Sequence, residues 1–187
     1  MPLVAGAHRG HLFAVIDGGG GAPDGRRAAQ CAADHLADFY RSKDLPPSWQ
    51  GLLALLSAIN REVHGWGMIE GTGRPRGAAA VTVAWFAPQR EVVVLHAGDT
   101  LAARFDGDRI TRLTQDHSEG HTLLRYLGQG EGFSMDVVRV PFEEGDVLCL
   151  AIDGVTRVME PGEIGRYPHP VSRPRPGSSR DRPAGKG

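Results

Sequence analysis

This sequence is short of cysteine, of net charge and of long apolar runs. Two cysteines, Cys31 and Cys149, occur in 187 residues, both in apolar surroundings. That count excludes a disulfide-stapled scaffold and points to buried thiols in a reducing compartment. Lysine and arginine number 21 against 22 acidic residues, a formal net charge of −1. A nucleic-acid partner held by phosphate neutralisation is therefore not expected. No segment approaches the roughly 18 continuous apolar residues of a membrane span. The opening "MPLVAGAHRGH" is too short and too broken for a secretion leader. A cytoplasmic protein with no membrane partner is the expectation.

What is present is a folded core. Hydrophobic residues make up 41% and charged residues 23%, the balance of one ordinary domain. The most unusual stretch is "LFAVIDGGGGAPDG", residues 12 to 25. Leu12 to Ile16 form an apolar run that reads as a buried strand. Asp17 stands where that strand leaves the core, and Gly18 to Gly21 follow, free to take positive φ and to approach a ligand closely. Three readings of the stretch stay open on these residues alone. It can be a phosphate cradle, a metal site built from Asp17 and a glycine carbonyl, or a mobile loop with an Asp-Gly turn. No G-x-x-x-x-G-K-[ST] pattern occurs, which makes the cradle the weaker of the two sharper readings.

Residues 25 to 42 carry Ala28, Ala32, Leu36 and Phe39 or Tyr40 at helical spacing, directly after the glycines. "LPP" breaks that helix, and Ser48 is placed to cap a second one bearing Leu52, Leu55, Leu56, Ile59 and Val63 on one face. Gly65 and Gly67 end it, and "MIEGTGRPRG" reads as a polar loop. Strand patterns then follow at 78–86, 91–98, 101–105, 109–114, 135–142 and 146–152, with a hairpin across "DGD". "HTLLRYLG" reads as a short helix or turn. Pooled helices and pooled strands imply an α+β layered fold. From about residue 160 the chain is dense in Pro, Arg, Gly and Ser, so a domain over 1–160 and a disordered tail over 161–187 are expected.

Three aspartates stand at apolar strand ends: Asp17 in "AVIDG", Asp99 in "VVVLHAGDT" and Asp153 in "LCLAIDG". A carboxylate there is costly unless it is paired or bound to a cation, and three could gather oxygen ligands for Mg2+ or Mn2+. The histidines make no comparable pattern. His8, His11, His35, His64, His96, His117, His121 and His169 form no His-x-x-x-His pair on one helix and no zinc-like cluster with the cysteines. His117 and His121 have the spacing but lie in the loop-like "HSEGH", and His96 reads as a packed strand residue. No Ser/His/Asp triad can be argued.

Taken in order, these segments resemble the PPM (PP2C-like) metal-dependent Ser/Thr protein phosphatases. "LFAVIDGGGG" looks like that family's strand–Asp–Gly–x–Gly–Gly signature, with its first long helix following in "DGRRAAQCAADHLADFY". "RGAAAVTVAWF" sits like the Gly-Thr-Thr-Ala strand, and "VLHAGDTLAARFDGDRITRLTQDHS" is similar to the Gly-Asp-Ser-Arg strand, hairpin and Asp-His-Ser run. "LLRYLG" resembles Thr-Arg-x-Leu-Gly, and "GDVLCLAIDGVTRVM" resembles the strand ending in Ser-Asp-Gly-Leu. The resemblance implies an incomplete α-β-β-α sandwich with a metal pair at one end. It implies that Asp17 bridges two metals, that the Gly18 carbonyl ligates one, that Asp153 holds the other, and that Asp99 serves a looser third. A metal-activated water would then hydrolyse phosphate monoesters on a phosphorylated protein, with a Ser/Thr kinase or its targets as partners.

Three departures from the family pattern set the alternatives. The family's early Arg and Glu-Asp pair have no counterpart before Leu12, and Arg9 stands in no matching motif. A late family aspartate followed by a final strand is replaced by the Pro/Arg tail, where Asp181 has no strand context. An aspartate found four residues after Asp153 in many members is Arg157 here, a cation that disfavours an extra metal. A catalytically impaired pseudophosphatase acting as a binding module, or a truncated remnant, is the alternative expectation.

Overall fold

The computed structural model describes residues 10–19, 21–42, 48–106, 109–120 and 122–159. Its elements run β1 (His11–Gly18), α1 (Gly25–Arg41), α2 (Trp49–His64), β2 (Met68–Ile69), β3 (Arg74–Pro75), β4 (Ala79–Ala87), β5 (Glu91–Ala97), β6 (Leu101–Asp106), β7 (Arg109–Arg112), β8 (Ser118–Glu119), β9 (Thr122–Leu123), β10 (Asp136–Pro141), β11 (Val147–Ala151) and α3 (Asp153–Thr156). The tail from 161 and the segment before Gly10 lie outside the described residues, as do Arg9, His121 and Asp181.

Two antiparallel sheets stack. One has the order β1-β4-β5-β10 and the other β11-β6-β7. Apolar side chains alternate along the central strand β4, and each set has its own destination. Val81, Val83 and Trp85 face the helices and join Leu36, Leu52, Leu56, Ile59 and Val63. Ala84 faces the second sheet and joins Val92, Val94 and Ala102. Both faces of β4 are covered, so it reads as a nearly continuous apolar run. Among the described residues the result is helices, sheet, sheet, which is three of the four expected layers.

The helices end and start as their residues require. Ser48 accepts the Gly51 N–H at 3.0 Å, satisfying one of the free donors at the start of α2. α2 also fastens a distant loop. Buried Asn60 accepts from the Gly128 and Gly130 N–H groups and donates to the Gly130 carbonyl. Leu127, just before that loop, is fully buried and bridges Ala79.

Three sequence expectations are corrected, and one open alternative is decided. The run Leu12–Ile16 is not a buried strand. Among the described residues β1 pairs only with β4, at the sheet edge, and Phe13 is 54% exposed. Gly18, Gly19 and Gly21 do not take positive φ. What they provide is room, since a Cβ at Gly18 would lie 2.5 Å from the Gly25 carbonyl oxygen. Of the two readings of 121–128, helix or turn, the described residues 122–128 take the second, with a two-residue strand, bends and a turn. Cys31 and Cys149 are half-buried rather than buried.

Candidate active site and metal centre

Three strand ends meet at one end of the sandwich. Asp17 stands next to last in β1, opposite Ala80 of β4. Asp99 sits in the turn joining β5 of the first sheet to β6 of the second. Asp153 opens α3 directly after β11, whose Ala151 pairs with Leu101 of β6. The pairing thus brings together residues more than a hundred positions apart. Asp17, Gly18, Asp99 and Asp153 all line one cavity of about 570 Å3, together with Arg74, Tyr126 and Arg157.

The carboxyls disturb one another. Burial, the Asp153 charge, a hydrogen bond to Asp153 and the Asp99 charge push the Asp17 pKa above the ordinary carboxylate value, against the opposing pull of Arg157. Burial and the Asp153 charge push Asp99 up as well. Like charges crowded into a half-buried cleft are the signature of a place that wants a cation. Part of that demand is met by Arg157, whose Nη2 stands 2.6 Å from Asp153 Oδ2.

The described residues on either side of Gly20 are hydrogen-bonded to the segment before β4. Gly19 N–H donates to the Ala78 carbonyl at 2.8 Å, and Asp24 N–H donates to the Arg76 carbonyl at 2.9 Å. Asp24 Oδ2 also accepts from Arg76 Nε at 2.9 Å. Close packing of Gly18 on Gly25 then sets the start of α1 against the end of β1.

Sequence reasoning missed the residues that hold Asp99. Gly98 has φ +120, and a Cβ there would fall 2.3 Å from Ala80 Cβ, so only glycine fits. His117, buried, donates its backbone N–H to the Gly98 carbonyl at 2.7 Å and accepts the Gly98 N–H on Nδ1 at 3.3 Å. That assigns the ring proton to Nε2, which donates to Asp136 Oδ2 at 2.9 Å. Arg125 completes the chain to Asp136 Oδ1 at 2.7 Å. The signals were legible, a Gly before the Asp and an Asp-His-Ser run, but their meeting was not. Arg74, from the polar loop, was missed too, and lends the cavity a second cation.

The donor set fits a hard divalent cation. Asp17, Asp99, Asp153 and the Gly18 carbonyl offer only oxygens, the preference of Mg2+ and Mn2+. The ring is open. Among the described residues, the three donor side chains that close to within 4.8 Å of one another are elsewhere: Cys31, His35 and Glu62. This corrects the expectation that no histidine clusters with a cysteine. The reason is tertiary, since Glu62 comes from α2 and the other two from α1.

The sequence matches the protein phosphatase 2C family over residues 4–171. A serine/threonine phosphatase stp of Listeria innocua is 27% identical over 186 residues, covering 82% of this chain and 69% of the relative. Its counterpart in Listeria monocytogenes serotype 4b is 26% identical over the same shares. Among solved structures, PppA, a key regulatory component of T6SS in Pseudomonas aeruginosa, superposes with a TM-score of 0.72 at 20% identity, covering 87% of this chain and 73% of that one. The S. agalactiae serine/threonine phosphatase gives 0.70 at 19% identity, covering 82% and 72%.

Proposed function

The chain belongs to the protein phosphatase 2C family, and from that premise we propose that the Asp17–Asp99–Asp153 cleft hydrolyses phosphoserine and phosphothreonine esters on protein substrates. The convergence of three carboxyls and the Gly18 backbone in one cavity carries this reading. Asp17 and Asp153 are the principal ligands for Mg2+ or Mn2+, with the Gly18 carbonyl beside them and Asp99 for a looser third ion. Bound there, divalent cations supply Lewis acidity and a more acidic water as nucleophile. The chain's own residues do the rest. Asp17 holds a charge that burial and the neighbouring carboxyls disfavour, and Asp153 holds one that Arg157 partly pairs. Arg74 at the cavity rim presents a cation to the substrate phosphate. Glycine at 18 keeps the first turn of α1 close without a side chain in the way.

The substrate class is a phosphorylated protein, with a Ser/Thr kinase or its targets as the partners and the cytoplasm as the site of action. No helix among the described residues is long and apolar enough to cross a membrane. Residues 1–160 act as the phosphatase domain, and 161–187 are a separate tail on grounds of composition.

The test is release of phosphate from a phosphothreonine peptide with Mn2+ and with chelator. Activity should require the metal, and Asp17→Ala or Asp153→Ala should lower kcat on the order of a hundredfold or more. The Arg157–Asp153 ion pair favours one second reading, a binding module without turnover. Folded, Mn2+-saturated protein that releases no phosphate would overturn the enzyme and leave that alternative.

A further inference from the structure

The geometry points to a second metal site, of different chemistry, between the two helices: Cys31, His35 and Glu62 form a three-donor zinc site that ties α1 to α2. Cys31 and His35 are four residues apart on α1, so they share one face one turn apart. Glu62 reaches them from α2. Its Oε1 lies 3.4 Å from Cys31 Sγ, and its Oε2 lies 2.9 Å from His35 Nε2. All three donor atoms lie within 4.8 Å of one another.

Those distances can be compared with a zinc tetrahedron. Zinc sits about 2.3 Å from sulfur and about 2.0–2.2 Å from nitrogen and oxygen, which separates neighbouring ligands by roughly 3.3–3.7 Å. The sulfur–oxygen distance already fits, and the nitrogen–oxygen pair needs to open by a few tenths of an ångström. A thiol, an imidazole and a carboxylate are a mixed soft set that suits zinc and not Mg2+. The all-oxygen cleft has the opposite preference, so the two sites would sort their metals by chemistry.

The surroundings admit an ion. The His35 and Glu62 side chains are about half exposed, at 43% and 49%. They line a surface cavity with Cys31, Asp34, Arg27 and Trp66. A water completes the coordination. Arg27, the one arginine or lysine of that cavity, is stacked 4.0 Å from the Trp66 ring centroid and is thereby held by another partner. On binding, zinc takes the place of the Cys31 thiol proton, which leaves to solvent, and bonds to the sulfur, to His35 Nε2 and to a Glu62 oxygen. No redox change is involved. The consequence is a clamp across the helix layer that holds α2 to α1, the helix following the Asp17 turn.

Cobalt substitution tests the site, because a cobalt–thiolate bond gives a near-ultraviolet charge-transfer band that the oxygen-only cleft cannot give. Titration of reduced full-length protein with Co2+ should raise this band to one equivalent, and Zn2+ should quench it. Cys149→Ser should keep it. Cys31→Ser should abolish it, and Glu62→Gln, a change on an exposed side chain, should weaken Co2+ binding at least tenfold. No band in the wild type, a band surviving in Cys31→Ser, or unchanged affinity in Glu62→Gln would each overturn the site. None of these outcomes depends on phosphatase turnover, so they leave the reading of the aspartate cleft to its own test.

Discussion

At the scale of single residues, the cleft is a contest over the Asp153 carboxyl. Arg157 occupies one of its oxygens, yet the arginine side chain is 57% exposed, so the pair is screened. Removing the guanidinium should release that oxygen to a divalent ion. Arg157→Ala should therefore tighten Mn2+ binding by roughly two- to fivefold, read by calorimetry. Weaker binding would mean that Arg157 orders the site instead of competing for it. Asp17 gives the complementary case. Its raised pKa reports a metal-free cleft strained by burial and by two neighbouring carboxyls. Asp17→Asn should remove the repulsion and keep the shape. The metal-free variant should be more stable to denaturant than the wild type, with activity lost. A destabilised metal-free Asp17→Asn would contradict that account.

At the scale of elements, the turn from β5 to β6 depends on a polar core between the sheets. His96 is 1% exposed and bonded at both ring nitrogens. Nε2 faces the Gln115 carbonyl at 3.0 Å and must donate to it, so Nδ1 accepts from the Thr82 hydroxyl at 2.9 Å. This is a neutral imidazole. Burial first, and then the nearby His117, lower its pKa from 6.5 to about 4. The sign follows from proton counting. Between those two values the unfolded chain binds the proton and the folded one does not. The His96 contribution to stability is therefore whole above pH 6.5 and is lost as pH falls toward 4, by about 3 kcal/mol. Denaturant melts at pH 7 and pH 5 should show this slope, and His96→Gln should flatten it. An equal slope in the variant would place the acid sensitivity elsewhere.

The same elements show what could be read from residues in a row. The helix stripes, the Ser48 cap, the hairpin at Asp106–Arg109 and the three aspartates at strand ends are local patterns, and the structure carries them. Contacts between distant segments were not legible. Ala80 lies against Gly98, and Glu62 lies against Cys31, because of sheet register and helix packing, which leave no periodic trace. The exposure of Phe13 belongs to the same class, since an apolar run does not disclose whether its strand has neighbours on both sides.

At the scale of the whole molecule, cover is unequal, and stability should follow it. β4 and β5 lie inside the first sheet, with helices on one face and the second sheet on the other, and Val81, Val83, Val93 and Leu95 are fully buried. β7 lies at the edge of the second sheet and all four of its residues are exposed. Among the described residues β1 is also an edge strand, yet it carries Asp17. The residue on which the proposed chemistry turns is thus mounted on a weakly covered strand whose inner neighbour is the most covered one. Opening costs the least where few apolar contacts are broken. Hydrogen exchange should therefore show β4 and β5 amides slowest, β7 fastest, and β1 between them. Mn2+ should slow β1 selectively at its Asp17 end, because binding at that carboxyl stabilises only states in which the strand is docked. If Mn2+ protected β7 as much as β1, the ion would be acting on global unfolding, and the local coupling of cleft to edge strand would be wrong.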